Sequence, residues 1–156
     1  MKGVSCALTG HRNLPAHFNR RILFDELEQL IKNGYTTFFC GMAEGFDLVA
    51  LSLLVELKEN YPLYIEACVP FKGQEKNFSA EYRTMYRELI KSCDRVTVLF
   101  DGYKNGCFLV RDRYMVDCSD LVFAYCTKSS GGTAYTVNYA KDTSKEVIFS
   151  NAGSSF

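Results

Sequence analysis

An excess of either charge is missing from this sequence: Lys plus Arg and Asp plus Glu number 18 each. No global positive field draws the chain toward nucleic acid or an anionic membrane, so neither is expected as a partner. Histidine is almost absent, with His11 and His17 alone. The seven cysteines are scattered with no C-x-x-C pair, and four of them sit in apolar runs. That pattern excludes a structural zinc site and reads as buried, reduced thiols of a cytoplasmic protein. No metal and no cofactor is expected. An apolar run approaching the ~20 residues of a membrane span is lacking as well. The opening stretch MKGVSCALTGHR reaches Gly, His and Arg before any signal-peptide core accumulates. No linker, repeat or low-complexity tract divides the chain. One domain over residues 1–150 is expected, with a loose tail from Asn151 to Phe156.

What is present is an alternation of short β-rich runs with longer segments of helical period. Strands are expected at Val4–Thr9, Thr36–Cys40, Leu63–Val69, Arg95–Phe100, Asp120–Tyr125 and Glu146–Phe149. Helices are expected at Phe18–Lys32, Gly45–Asn60, Phe78–Ser92, Gly106–Cys118 and Thr133–Lys141. The first helix shows its apolar face in Ile22, Leu23, Leu27, Leu30 and Ile31. This βαβαβαβαβαβ order implies an α/β fold: a Rossmann-like three-layer αβα sandwich with a mostly parallel sheet.

In such sheets ligands collect outside the carboxyl ends of the strands. Strand one runs into Thr9-Gly10-His11-Arg12, strand two into Gly41-Met42-Ala43-Glu44-Gly45-Phe46-Asp47, strand three into Pro70-Phe71-Lys72-Gly73-Gln74, and strand five into Ser129-Ser130-Gly131-Gly132-Thr133. Glycines ahead of the second and fifth helices let backbone N–H groups approach phosphate oxygens, or else simply make turns. Thr133 either caps the fifth helix or offers its hydroxyl to a phosphate. Arg12 suits a forked contact with phosphate or carboxylate, or a surface salt bridge. His11 suits polarisation or base work, or a local hydrogen bond. Asp47 suits ribose hydroxyls, or serves the helix dipole. Phe71 and Gln74 suit stacking on and reading of a base, or Phe71 packs on a helix. Of Arg111, Asp112 and Arg113, ahead of Met115, one is expected to point into the cleft.

Five strings occur in order along nearly the whole chain: CALTGHRNLP, FFCGMAEGFDLVA, VPFKGQEKNF, RYMVDCSDLVFAY and SGGTAYTVNYA. Together they resemble the SLOG superfamily, in particular its small stand-alone YpsA/YoqJ-like branch. The resemblance implies a nucleotide-type pocket, with Gly10, Arg12, Gly41, Gly45, Asp47, Gln74, Gly131, Gly132 and Thr133 on motif positions. Relatives that hydrolyse nucleoside monophosphates carry Gly-Gly-x-Gly-Thr-x-x-Glu, whereas Thr136 stands at the offset of that Glu. A Trp usual after the third string is replaced by Asn77-Phe78.

Two readings follow. One is a binder of a nucleotide-derived signal of ADP-ribose type that senses or sequesters it, as in bacterial or phage conflict. The other is a hydrolase of an N-glycosidic or phosphoribosyl bond, for which Glu44, Asp47 and Asp112 are the nearby carboxylates. DNA binding, suggested by distant SLOG relatives, is disfavoured by the balanced charge. A homo-oligomer is expected, with Tyr82, Tyr86, Tyr103, Tyr114, Tyr135 and Tyr139 as candidates for its surface.

Overall fold

A computed structural model describes residues 4–154. Eleven regular elements alternate without exception: β1 (Ser5–Gly10), α1 (Arg20–Lys32), β2 (Thr37–Cys40), α2 (Phe46–Leu57), β3 (Tyr64–Phe71), α3 (Ala80–Leu89), β4 (Arg95–Phe100), α4 (Cys107–Asp117), β5 (Leu121–Tyr125), α5 (Gly132–Asp142) and β6 (Glu146–Phe149). The strands form one sheet in the order β4-β3-β2-β1-β5-β6, and every pairing is parallel. The fold is the three-layer Rossmann-like sandwich that the alternation implies.

The chain steps outward from β1 to β4, then crosses back to lay β5 on the other side of β1. Right-handed crossovers in opposite directions place helices on opposite faces. Accordingly α1, α2 and α3 pack on one face of the sheet, and α4 and α5 on the other. The helix at the centre of its layer, α2, lies between α1 and α3 and buries Phe46, Leu48, Val49, Leu51 and Leu54 completely. Each such side chain contributes about 1.5–3 kcal/mol relative to exposure. The flanking α1 buries a stripe of Leu23, Leu27, Leu30 and Ile31.

Local chemistry sets the boundaries. The side chain of Asn19 accepts from the Ile22 amide at 3.0 Å, so α1 begins at Arg20 and not at Phe18. Ser79 does the same for Tyr82 and starts α3 at Ala80. The expected third helix is shortened at its far end too, where the chain tightens into a 3-10 turn at Ile90–Ser92. Pro70, expected as the exit from the third strand, lies inside β3, which continues to pair through Phe71 with Phe100.

The tail also differs from expectation over its described part. The Asn151 amide donates to Glu26 at 2.7 Å, Ala152 is fully buried, and its carbonyl accepts from the Asn19 amide at 2.8 Å. Ser155 and Phe156 lie outside the described residues. Among the described residues no helix is long and apolar enough to cross a membrane, and no group of three His, Cys, Asp or Glu side chains is placed to hold a metal ion.

Candidate functional site

Neighbouring strands β1 and β5 send their following helices to opposite faces of the sheet, and a crevice opens between the two departing loops. A cleft of about 440 Å³ lies there. Its size is that of a small-molecule site.

β1 supplies Thr9 and Gly10, and the loop after it His11, Arg12 and Asn13. Asp47 enters from the first turn of α2, and Phe108, Arg111, Asp112 and Met115 from α4. Lys128, Ser130 and Gly131 come from the loop after β5, with Gly132 and Thr133 opening α5. A side pocket of about 180 Å³ shares Arg12 and Phe108 with the cleft and is lined further by Glu44, Phe71, Gln74, Asn77, Phe78 and Tyr103.

Thus ten of the expected residues meet in the main cleft: Thr9, Gly10, His11, Arg12, Asp47, Arg111, Met115, Gly131, Gly132 and Thr133. Glu44, Phe71 and Gln74 lie in the side pocket. Gly41, Met42, Gly45 and Pro70 line neither. Met42 is fully buried in the core behind the site.

The glycines divide by what a side chain would meet. At Gly10 a Cβ would collide with the Phe46 ring, and at Gly45 with the Arg12 backbone. At Gly41 it would come within 2.7 Å of the Arg111 guanidinium. These three make room for protein. At Gly131 and Gly132 a Cβ would meet nothing within 4 Å, so the backbone there faces open space. Gly131 adopts φ 98°, which glycine alone takes up without strain, and offers no side-chain cap. The first intrahelical bond recorded at this end runs from the Tyr135 amide to the Gly131 carbonyl. The amides of Gly132, Thr133 and Ala134 therefore form the free, partly positive end of α5 at the edge of the cleft.

Arg12, Arg111 and Lys128 line the same cleft as this end. Arg12 is exposed and, among the described residues, forms no ion pair; its guanidinium lies 5.2 Å from the Phe108 ring centroid. Arg111 is buried, donates from Nη1 to the Gly41 carbonyl, and pairs through Nε with Asp112 at 2.7 Å. Burial works to lower its pKa, but Asp112 and Asp47 outweigh it and hold the guanidinium charged. Arg113 instead donates to the Tyr135 hydroxyl at 2.9 Å, tying α4 to α5.

Asp47 is buried, and burial outweighs the nearby Arg111 to push its carboxyl up to about 7. One oxygen accepts from the Ala43 amide at 3.2 Å, while Oδ1 has no hydrogen-bond partner among the described residues. His11 acts locally: its Nε2 accepts from the Thr127 amide at 2.8 Å, clasping the β1 and β5 loops. Burial, then Lys128, lowers its pKa and keeps the ring neutral. Gln74 does not face a ligand with its amide, because Nε2 donates to the Met42 carbonyl at 3.0 Å and to that of Gly41 at 3.4 Å. Thr136 returns its hydroxyl to the Gly132 carbonyl at 2.9 Å and is buried.

Sequence reading missed Asn13, Asn77, Tyr103, Phe108 and Lys128 as lining residues. Lys128 directly precedes the Ser129–Thr133 loop singled out from the sequence. Asn13 follows β1, and Asn77, Tyr103 and Phe108 sit where β3 and β4 end and α4 begins, with no local signal of a shared pocket.

The sequence profile of the YspA SLOG family (YpsA) matches residues 10–151. The SPbeta prophage-derived protein YoqJ of Bacillus subtilis (strain 168) is 31% identical over 132 residues, covering 75% of this chain and 77% of its own length. Among solved structures, DNA processing protein A from Helicobacter pylori, described for its single-stranded DNA binding mode, superposes with TM-score 0.69 at 17% identity over 95% of this chain. DNA processing protein A (DprA) from Streptococcus pneumoniae gives TM-score 0.68 at 15% identity over 94% of the chain. The chain spans 65% and 50% of those two proteins.

These neighbours correct one expectation. Balanced charge disfavoured nucleic acid as a partner, yet the Helicobacter pylori protein of this fold binds single-stranded DNA. Binding of that kind depends on a local cationic rim, and net charge over the whole chain does not report one. The tyrosines expected at a self-association surface are in part engaged within the chain: Tyr114 donates to Glu66 at 2.6 Å and Tyr139 to Asp117 at 2.7 Å.

Proposed function

The chain belongs to the YspA SLOG family, and from that premise we propose that its cleft binds the phosphate of a nucleotide or nucleotide-derived molecule, of the ADP-ribose class, and holds it intact. One observation carries the reading: the uncapped start of α5, with Gly131 and Gly132 open to space, faces the same cleft as Arg12, which forms no ion pair among the described residues. Free amides at a helix start bind phosphate oxygens, and a guanidinium adds a forked, charge-assisted contact. Thr136 stands where hydrolytic relatives carry a carboxylate and is turned back into its own helix, which supports holding over cleavage. Sensing or sequestration then needs affinity alone.

The test is calorimetry with AMP and ADP-ribose. Arg12→Ala and Gly132→Asp are expected to weaken binding at least tenfold with melting temperature kept. Gly132 has open space at its Cβ, and an acid in the first turn of a helix favours the fold while repelling phosphate. Unchanged affinity in both variants overturns the reading.

Two observations favour further readings. The single-stranded DNA of the Helicobacter pylori neighbour would present the same phosphate chemistry. Anisotropy with a labelled oligothymidine, with affinity falling steeply as salt rises, would place this chain with it. Asp47, with a carboxyl near 7 in the cleft, is the group suited to proton transfer at neutral pH. Release of free base from AMP would show turnover.

A further inference from the structure

Four aromatic rings line the side pocket, and three of them, from separate parts of the chain, pack on one another. Phe71 meets Tyr103 edge-on at 5.6 Å and Phe108 edge-on at 5.9 Å, and Tyr103 tilts toward Phe108 at 6.3 Å. Phe71 is buried by these contacts, whereas Tyr103 is 65% exposed. An aromatic ring so exposed, held against two others at the rim of a pocket, presents π surface to whatever enters. The pocket opens beside the phosphate cradle, because Arg12 and Phe108 line both.

The polar groups at this pocket are unequally committed. Gln74 is consumed by backbone carbonyls, and Glu44 accepts from the Ser79 amide at 3.0 Å. Asn77 is exposed, and no hydrogen bond of its side-chain amide is recorded among the described residues. An amide carries both donors and an acceptor, as the edge of a nucleobase does.

We infer that this side pocket is the subsite for a nucleobase, stacked on the exposed face of Tyr103 with its edge at Asn77, joined through ribose to the phosphate held at Arg12 and α5. The inference rests on the phosphate reading above and adds what that reading leaves open: where the base of the ligand sits and which side chains meet it. Arg12 stands at the junction and serves both halves. The volume of about 180 Å³ suits one ring system, whereas the whole molecule spans both compartments.

Calorimetry with ribose 5-phosphate, AMP and adenosine against the full chain, Tyr103→Ala and Asn77→Ala tests it. Tyr103 and Asn77 are exposed, so both variants retain the fold. AMP is expected to bind at least tenfold tighter than ribose 5-phosphate, and Tyr103→Ala to remove about tenfold of the AMP affinity, within the range of one base-aromatic stack, while leaving ribose 5-phosphate unchanged. Asn77→Ala is expected to weaken AMP binding while leaving ribose 5-phosphate unchanged. Equal binding of AMP and ribose 5-phosphate, or an AMP affinity indifferent to Tyr103→Ala, overturns the subsite and leaves the phosphate cradle standing. If neither phosphate compound binds, the cradle falls, and adenosine decides the subsite separately: binding lost in Tyr103→Ala supports it, and absence of binding overturns it.

Discussion

At the scale of single residues, Asp47 concentrates the tension of the site. A carboxyl raised to about 7 from an ordinary value near 3.9 stays protonated in the folded chain where the unfolded chain has already lost the proton. Between about pH 4 and 7 the folded state therefore binds more protons, and its stability falls as pH rises, by about 1.4 kcal/mol per unit at most. Asp47→Asn keeps an acceptor for the Ala43 amide and removes the titration. Urea midpoints at pH 5 and pH 8 should show the variant gaining on wild type at the higher pH; a constant difference between them refutes this. Thr9, Gly10, His11, Arg12, Gly131, Gly132 and Thr133 were legible as one strand-end set, because the alternating pattern says where each strand stops. Which glycines face open space was not legible. The clash at Gly10 comes from Phe46, and that at Gly41 from Arg111, 70 residues away in sequence.

At the scale of elements, the cleft depends on two loops staying together, and His11 links them. Its lowered pKa means the neutral ring is the folded form, able to accept from the Thr127 amide. The stabilisation it gives is complete above its ordinary value near 6.5 and is lost as pH falls below that. This dependence is opposite in sign to that of Asp47. Hydrogen exchange, corrected for its intrinsic pH dependence, should show protection at the Thr127 amide falling as the pH drops below the ordinary imidazole range, and His11→Ala should show low protection at every pH. Protection insensitive to both would mean the bond does not hold the loop. The caps at Asn19 and Ser79 start α1 and α3 two residues inside the expected Phe18 and Phe78, and the expected end of α3 overran because periodicity does not register a closing 3-10 turn.

Across the whole molecule, the sheet order sets a gradient of stability. β1 is flanked by β2 and β5 and its Cys6, Ala7 and Leu8 are at most 1% exposed. The edge strands β4 and β6 each pair on one side and expose Val96, Val98, Ile148 and Phe149. Amide exchange is expected to be slowest in β1, β2 and β5, and fastest among the strands in β4 and β6. Equal protection across the sheet would contradict the order.

The sequence by itself determined the alternation of strand and helix, the buried face of α1, the parallel sandwich and the set of strand-end loops. Each is written in local periodicity, in capping residues and in the positions of glycine. The tertiary structure alone decided that β1 and β5 are neighbours, that Arg111 is buried against Gly41 while Arg113 turns to Tyr135, and that Phe71, Tyr103 and Phe108 enclose one pocket. Those facts depend on pairings between segments far apart in the chain, and local pattern carries no record of which distant segment a strand will pair with.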